Sequence, residues 1–207
     1  TPMPEGGLSR KGLSPSEVDL PWTQPDAEAQ LKVITARTFR HLGEAVHILG
    51  EVENTTDTKM SDVTVKVVGY GTGDRVLDTK EDKAYFEVVG PGERVPYRVF
   101  FDARDVERTE ITITANPTDS EAPEQLQISD VAITAVAQGY THVTGRLQSP
   151  SEGVKATLII ILRDQDGEAV ENHRAKLIKP LKAGPNEFDV LALHHGATSA
   201  DVTAFVR

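Results

Sequence analysis

A chain of 207 residues that is 38% apolar can bury a sizeable core, and it is long enough for two sandwich units of roughly 100 residues each. Its net charge of -10 argues against sequence-independent binding to nucleic acid and against docking on an anionic membrane, since both need clustered Lys and Arg. With no cysteine there are no disulfides, thiolate metal sites or Cys nucleophile, and no apolar run approaches the roughly 18 residues of a membrane-spanning helix.

Residues 1–30 differ in texture from the rest of the chain. Pro2, Pro4, Pro15, Pro21 and Pro25 lie among Gly6, Gly7, Gly12 and several serines, and no helical or strand period persists. This composition predicts an extended arm. Ser14 or Ser16 could alternatively cap a short helix running through Leu20. Leu13, Leu20 and Trp22 are the arm's large apolar anchors, and Trp22 is the only tryptophan. The arm is expected to pack through them on a sandwich face or on another subunit.

From Leu31 onward, short β-type runs are separated by turn signals about every ten residues. Leu31–Phe39 and Ala45–Asn54 are the first two predicted strands, with Val46, Ile48, Gly50 and Val52 on one face. Thr55–Asp62 is a polar loop, and Val63–Tyr70 comes next with Val63, Val65 and Val67 inward. Gly71-Thr72-Gly73-Asp74 is a hairpin turn. Tyr85–Val89 is a further strand, and Gly90-Pro91-Gly92-Glu93 turns the chain again. Val95, Tyr97, Val99 and Phe101 alternate with Pro96, Arg98, Phe100 and Asp102, and Ile111 and Ile113 mark the last strand of this unit.

The Pro- and Asp-rich stretch Asn116–Glu124 marks a boundary, and beyond it the pattern repeats. A shift of 95 residues places Leu31 on Leu126, His47 on His142 and Gly50 on Gly145; after the next loop the shift becomes 93. The expected organisation is an arm at 1–30, a first β-sandwich at 31–116, a linker at 117–125 and a second β-sandwich at 126–207. The fold class is all-β: two tandem immunoglobulin-like sandwiches with an extended N-terminal arm.

Lys155–Glu168 is the most apolar strand followed by a turn. Leu158, Ile160 and Leu162 point into the second core, so Ile159 and Ile161 point the other way. A sandwich face turned to water should carry polar residues there. The Ile159–Ile161 face is therefore expected to be covered by the other domain, by a partner or by the arm.

Val-x-Gly-x-(Val/Leu), a polar loop, a strand closing in Ile160-Ile161-Leu162-Arg163-Asp164, a DG turn and a later Gly-containing turn together resemble the FxLYD family. The matching stretch of the first unit is Val67-Val68-Gly69-Tyr70-Gly71. Neither copy has the signature Phe; the second lacks the Tyr, and the first lacks the Leu and the Asp. The resemblance spans Leu31–Arg207 and implies a bacterial extracytoplasmic immunoglobulin-like sandwich without catalytic residues. Thr1 in place of Met adds the expectation of a removed leader and a periplasmic, cell-surface or secreted location.

The chemistry-bearing residues form no familiar constellation. Asp164-Gln165-Asp166-Gly167 has the look of a calcium loop but sits between strands, so it reads as a hairpin turn. Asp102, Asp105 and Glu107 read as solvated loop charge. His194 and His195 are adjacent, and in a strand they would point to opposite faces. His47 and His142 hold equivalent repeat positions and suggest a structural role. No G-x-S-x-G elbow, H-E-x-x-H helix or phosphate loop is present. The expectation is a non-enzyme with no metal and no cofactor. It would be an exported binding or scaffold module of the cell envelope, meeting another protein subunit or envelope component through the arm or a sandwich face. An accessory subunit of an envelope complex or surface filament, tethered by its arm, is one alternative. A hydrolase or carbohydrate-binding module with a loop site is another.

Overall fold

A computed structural model describes residues 16–25, 30–40, 46–101, 105–136, 139–193 and 196–207. The described residues are all-β and contain no α-helix; a 3-10 turn spans Thr72–Asp74. The arm contributes β1 (Ser16–Val18) and β2 (Trp22–Thr23). Then come β3 (Leu31–Arg40), β4 (Val46–Asn54), β5 (Met60–Gly71), β6 (Arg75–Lys83), β7 (Val88–Val89), β8 (Arg94–Phe101) and β9 (Arg108–Pro117). The second half holds β10 (Gln125–Ala135), β11 (Tyr140–Ser149), β12 (Ala156–Arg163), β13 (Ala169–Lys176), β14 (Gly184–Leu193) and β15 (Ser199–Val206).

In the first half, one sheet runs β1-β3-β4-β8 and the other β2-β9-β5-β6, with β7 paired to β5. The two sheets bury a common core. Val46, Ile48, Val52, Val95, Tyr97 and Phe101 come from one side, and Val63, Val65, Val67 and Ile111 from the other. The period-2 alternation of β4, β5 and β8 is the direct cause, because one face of each sheet is apolar. In the second half the strands run in the order β13-β12-β15-β10-β11-β14. Here β10 pairs with β15 only at Gln125–Leu126 and then runs beside β11, so it joins two layers over a second core of Leu158, Ile160, Leu162, Val143, Leu147 and Phe188.

Apart from the arm and β7, the pairing order of the first half, β3-β4-β8 with β9-β5-β6, recurs as β10-β11-β14 with β15-β12-β13. A local irregularity recurs too. The register slips between Val33 and Thr35 in β3, and between Ser129 and Ala132 in β10. Each slip inserts one extra residue opposite or beside the glycine of the Val-x-Gly-x motif. A Cβ on Gly50 would lie 1.8 Å from the Thr35 carbonyl oxygen, and one on Gly145 would lie 2.6 Å from the Phe188 ring. The glycines are there because the bulged backbone or a core ring approaches too closely for a side chain.

Some local expectations change. Ser16–Val18 is not the start of a helix but a strand, antiparallel to β3 with Ser16 opposite Arg40. The free edge of β3 supplies hydrogen-bonding partners that an isolated three-residue helix nucleus lacks. The Tyr85–Val89 segment is strand only at Val88–Val89, because Ala84 and Tyr85 instead bond back to Val63 and Pro96. Strands β6 and β13 carry RVLDTKEDK and AVENHRAK, which show no apolar alternation. β6 is an exposed edge, where packing does not dictate side-chain type.

Candidate binding site at the junction of the two halves

The arm lies along two sheet edges. β1 covers the upper part of β3, and the Gln24 side chain continues the cover lower down, donating to the Leu31 carbonyl at 2.8 Å and accepting the Val33 N–H at 2.9 Å. On the other sheet, β2 runs parallel to β9 with Trp22 opposite Thr109. Trp22 is half-buried against the first core, and Leu20 is half-buried beside Ala36 and Arg37. Leu13 lies outside the described residues, as do Asp102, His194 and His195.

Arg37 ties three parts of the chain together. Its Nε and Nη2 donate to the Glu17 carboxylate of the arm at 2.8 and 2.7 Å. Its Nη1 donates to Asp164 at 3.2 Å and to the Ala169 carbonyl at 3.0 Å, both in the second half. The hydrogen bond from Arg37 holds the Glu17 carboxyl below its ordinary value, and both carboxylates raise Arg37 in return. Partial burial pushes Asp164 up, but the N–H groups of Glu168 and Asp166 together with Arg37 outweigh it and leave the carboxyl lowered. Asp164 thus closes its own turn, accepting from Asp166 and Glu168 at 3.1 and 2.9 Å. Elsewhere on the first half, Glu107 accepts from the Thr72 hydroxyl at 2.7 Å.

The two halves meet where β13 crosses the outer face of β4 and β8. Inward Val46, Ile48 and Val52 leave His47 and Leu49 facing out, and Leu49 with Phe39 joins the second core. His47 is fully buried, stacked on Phe39 at 5.4 Å and tilted against Phe100 at 5.3 Å. Its Nε2 lies 3.9 Å from the fully buried Glu171 carboxylate, which also takes the Arg98 guanidinium. The adjacent Asn172 donates to the carbonyls of Gly50 at 3.0 Å and Tyr97 at 2.9 Å. The Tyr85 hydroxyl donates to the Asn172 carbonyl at 2.9 Å, and burial pushes Tyr85 up to about 12. Burial, then the nearby Arg98 charge, lowers His173. The equivalent histidine of the second half, His142, is instead half-exposed and meets Asp189 at 2.6 Å.

Ile159 is 2% exposed and Ile161 is half-buried. Ile159 pairs across the sheet with Arg174, and Ile161 with Asn172. On that face Arg174 lies 5.3 Å from the Tyr85 ring, and Phe205 meets Phe86 edge-on at 5.3 Å. The Ile159 side of β12 is therefore turned toward the first half. Arg98, Glu171 and Asn172 carry no signal of this role in the sequence. The available signal was Leu49, a large apolar side chain on what the alternation makes the outer face of the first sheet; Phe39 joins it there only because the bulge after Val33 turns the far end of β3 over.

Beside this contact lies a cleft of about 630 Å³. One wall is Ser61–Val63 with Lys83–Val88, another is Ser120–Pro123, and the third is Thr157, Arg174, Lys176 and Phe205–Arg207. Among the described residues no group of three or more His, Asp or Glu is placed to hold a metal ion. The cleft combines the aromatic Tyr85, Phe86 and Phe205 with charged side chains of both signs, such as Asp62 and Glu87 against Arg174 and Lys176.

No protein-family model and no curated protein matches the chain. Among solved structures, it is similar to red sea bream transglutaminase at 9% identity and a TM-score of 0.27, over 86% of this chain and 29% of that one. It is also similar to the C-terminal globular domain of an oligosaccharyltransferase from Pyrococcus abyssi, at 10% identity and a TM-score of 0.28, over 86% and 47%. The chain thus spans less than half the length of either, and neither likeness bears on what it does.

Proposed function

We propose that this chain is a non-catalytic binding or scaffold module of the cell envelope or surface, made of two tandem immunoglobulin-like sandwiches of the FxLYD type. The observation that carries the reading is the twofold recurrence of one strand order, with the two halves locked by Glu171 and Asn172 of β13. Such a frame presents edges and clefts at fixed positions, which serves recognition. The described part of the arm is engaged on the chain's own sheets, which favours the module over a subunit tethered by that segment. The exported location rests on the FxLYD resemblance.

The test is fractionation of native cells with an antibody to this chain, combined with crosslinking and mass spectrometry of the envelope fraction. Recovery in that fraction, with crosslinks to a reproducible protein partner, supports the proposal. Recovery in the cytosol, or turnover on a glycan and peptide panel that is lost on substituting loop Asp or Glu residues, overturns it.

A further inference from the structure

We infer that the outer face of β10-β11-β14 is a second junction socket, which receives the edge strand of a sandwich domain on a partner protein, with a lysine or arginine where β13 has Glu171. This rests on the binding-module reading and names the partner's chemistry. The first support is the register of the repeat. In the first half His47 pairs with Phe100, Leu49 with Arg98 and Gly50 with Tyr97. In the second half His142 pairs with Leu191, Thr144 with Asp189 and Gly145 with Phe188. With Gly145 in the place of Gly50, Asp189 stands where Arg98 does and Leu191 where Phe100 does. The first-half face is the one β13 covers, and His47 and Leu49 are fully buried in it. The matching face of the second half is open. Leu191 is 49% exposed, and the side chains of His142 and Asp189 are 41% and 60% exposed.

The second support is a hollow at the matching point. Asn172 of β13 seats its amide on the carbonyls of Gly50 and Tyr97. Their counterparts Gly145 and Phe188 line an open hollow of about 650 Å³, with Asp130, Arg146, Glu187 and Asp189 around it. An amide side chain on an incoming strand meets there the same pair of main-chain positions that Asn172 reads in the first half. Beside the hollow the face turns apolar, with Val136, Tyr140 and Leu191 all exposed. Val136 donates its N–H to the Tyr140 carbonyl, and Tyr140 and His142 lie on one side of β11, opposite Leu193 and Leu191. This end offers burial to apolar residues of the partner.

The third support is charge. Asp130, Glu187 and Asp189 stand around Arg146 on this face, so carboxylates outnumber the cation. The sign at the Arg98 position is thus reversed, and a strand docking as β13 does needs a cation in the place of Glu171. The same rule sets aside a second copy of this chain. β6 holds in the first half the place of β13 in the second. Asp78 pairs with Gly69 as Glu171 pairs with Leu162, each next to a register slip. A copy docking through β6 would set Asp78 against Asp189, a like-charge contact that disfavours self-assembly.

The experiment uses the chain's own β6 as the probe, in whole-chain variants followed by sedimentation equilibrium and by amide shifts of isotope-labelled protein. Asp78→Lys with Thr79→Asn gives β6 the pair Lys–Asn where β13 has Glu–Asn. This variant should self-associate at least tenfold more tightly than the natural chain, with concentration-dependent shifts at Thr144, Gly145, Phe188 and Asp189. Asp189→Lys alone should also self-associate, since it then faces the natural Asp78. Asp189 is exposed, so this variant carries the test if Asp78→Lys disturbs β6. Asp78→Lys combined with Asp189→Lys should lose the association again. No association of either variant, association that persists in the combined one, shifts confined to other surfaces, or equal association of the natural chain would overturn the socket. Carbodiimide crosslinks in the envelope fraction that join a reproducible partner elsewhere than at Glu187 or Asp189 would overturn it too, while leaving the module standing with a different recognition surface.

Discussion

Arg98 and Glu171 meet across the junction of the two halves, with the Glu171 side chain fully buried and Arg98 only 17% exposed. A buried pair of this kind contributes little net stability, but losing one partner is costly, because the remaining charge stays out of water. Arg98→Met should therefore lower stability by about 3–5 kcal/mol. Adding Glu171→Met to it should recover most of that loss. Urea unfolding midpoints of the two single variants and the double variant decide this, and additive losses would contradict it.

The pH response should fall into two windows. His173 is lowered from 6.5, so it is more easily protonated in the unfolded chain. Its contribution is complete above that value and is lost as pH falls through the lowered one. Glu17 is lowered from 4.5 by Arg37, so arm docking is at full strength above 4.5 and is lost as pH falls through the lowered value. Trp22 fluorescence should report the second event as a red shift. Glu17→Gln should abolish that transition and leave the first intact.

The two motif glycines should differ in tolerance. Gly50→Ala drives a methyl group into the backbone carbonyl of Thr35, which the bulge holds in place. A loss of about 3 kcal/mol or more is expected. Gly145→Ala meets the Phe188 ring, a side chain able to tilt, and should cost about 1–2 kcal/mol. Thermal melts of the two variants give the comparison, and the reverse order would mean that the bulge in β3 can relax.

Leu49 belongs to the first half by sequence and to the second core by packing. Leu49→Ala should cost about 2–5 kcal/mol. It should also quicken amide exchange at Leu158 and Ile160, which lie more than a hundred residues away in the chain. A fragment of residues 118–207 should be less stable than the same residues in the whole chain, since it lacks Phe39 and Leu49. Equal stability would show that the halves merely touch.

What could be read in advance tracked side-chain alternation. Val46, Ile48 and Val52, and likewise Leu158, Ile160 and Leu162, face a core formed by their own half, so their period survives in the sequence. β6 lies at an exposed edge, so its side chains satisfy no shared surface and its strand leaves no apolar period. The buried Ala169–Asn172 of β13 reads as an ordinary polar segment, because Glu171 and Asn172 find their partners more than seventy residues away. The cleft was hidden for the same reason. Its cations and aromatics come from segments that only the folded junction brings together. Trp22 stood out because a large apolar ring in a Pro-rich stretch has few uses other than contact. Ile159 stood out because its side of a two-faced strand should otherwise have been polar.

The shared guanidinium of Arg37 makes the arm and the second half mutually informative. Holding an arginine side chain still costs up to about 2 kcal/mol of rotamer freedom. Glu17 and Asp164 each require nearly the same arrangement of that side chain. Whichever contact forms first immobilises it, and the second forms without repeating that loss. By thermodynamic reciprocity, an arm pulled off its sheet loosens the grip on the Asp164 turn by the same free energy that opening the turn loosens the arm. Release of the arm is thereby registered at the Asp164 turn through one shared side chain.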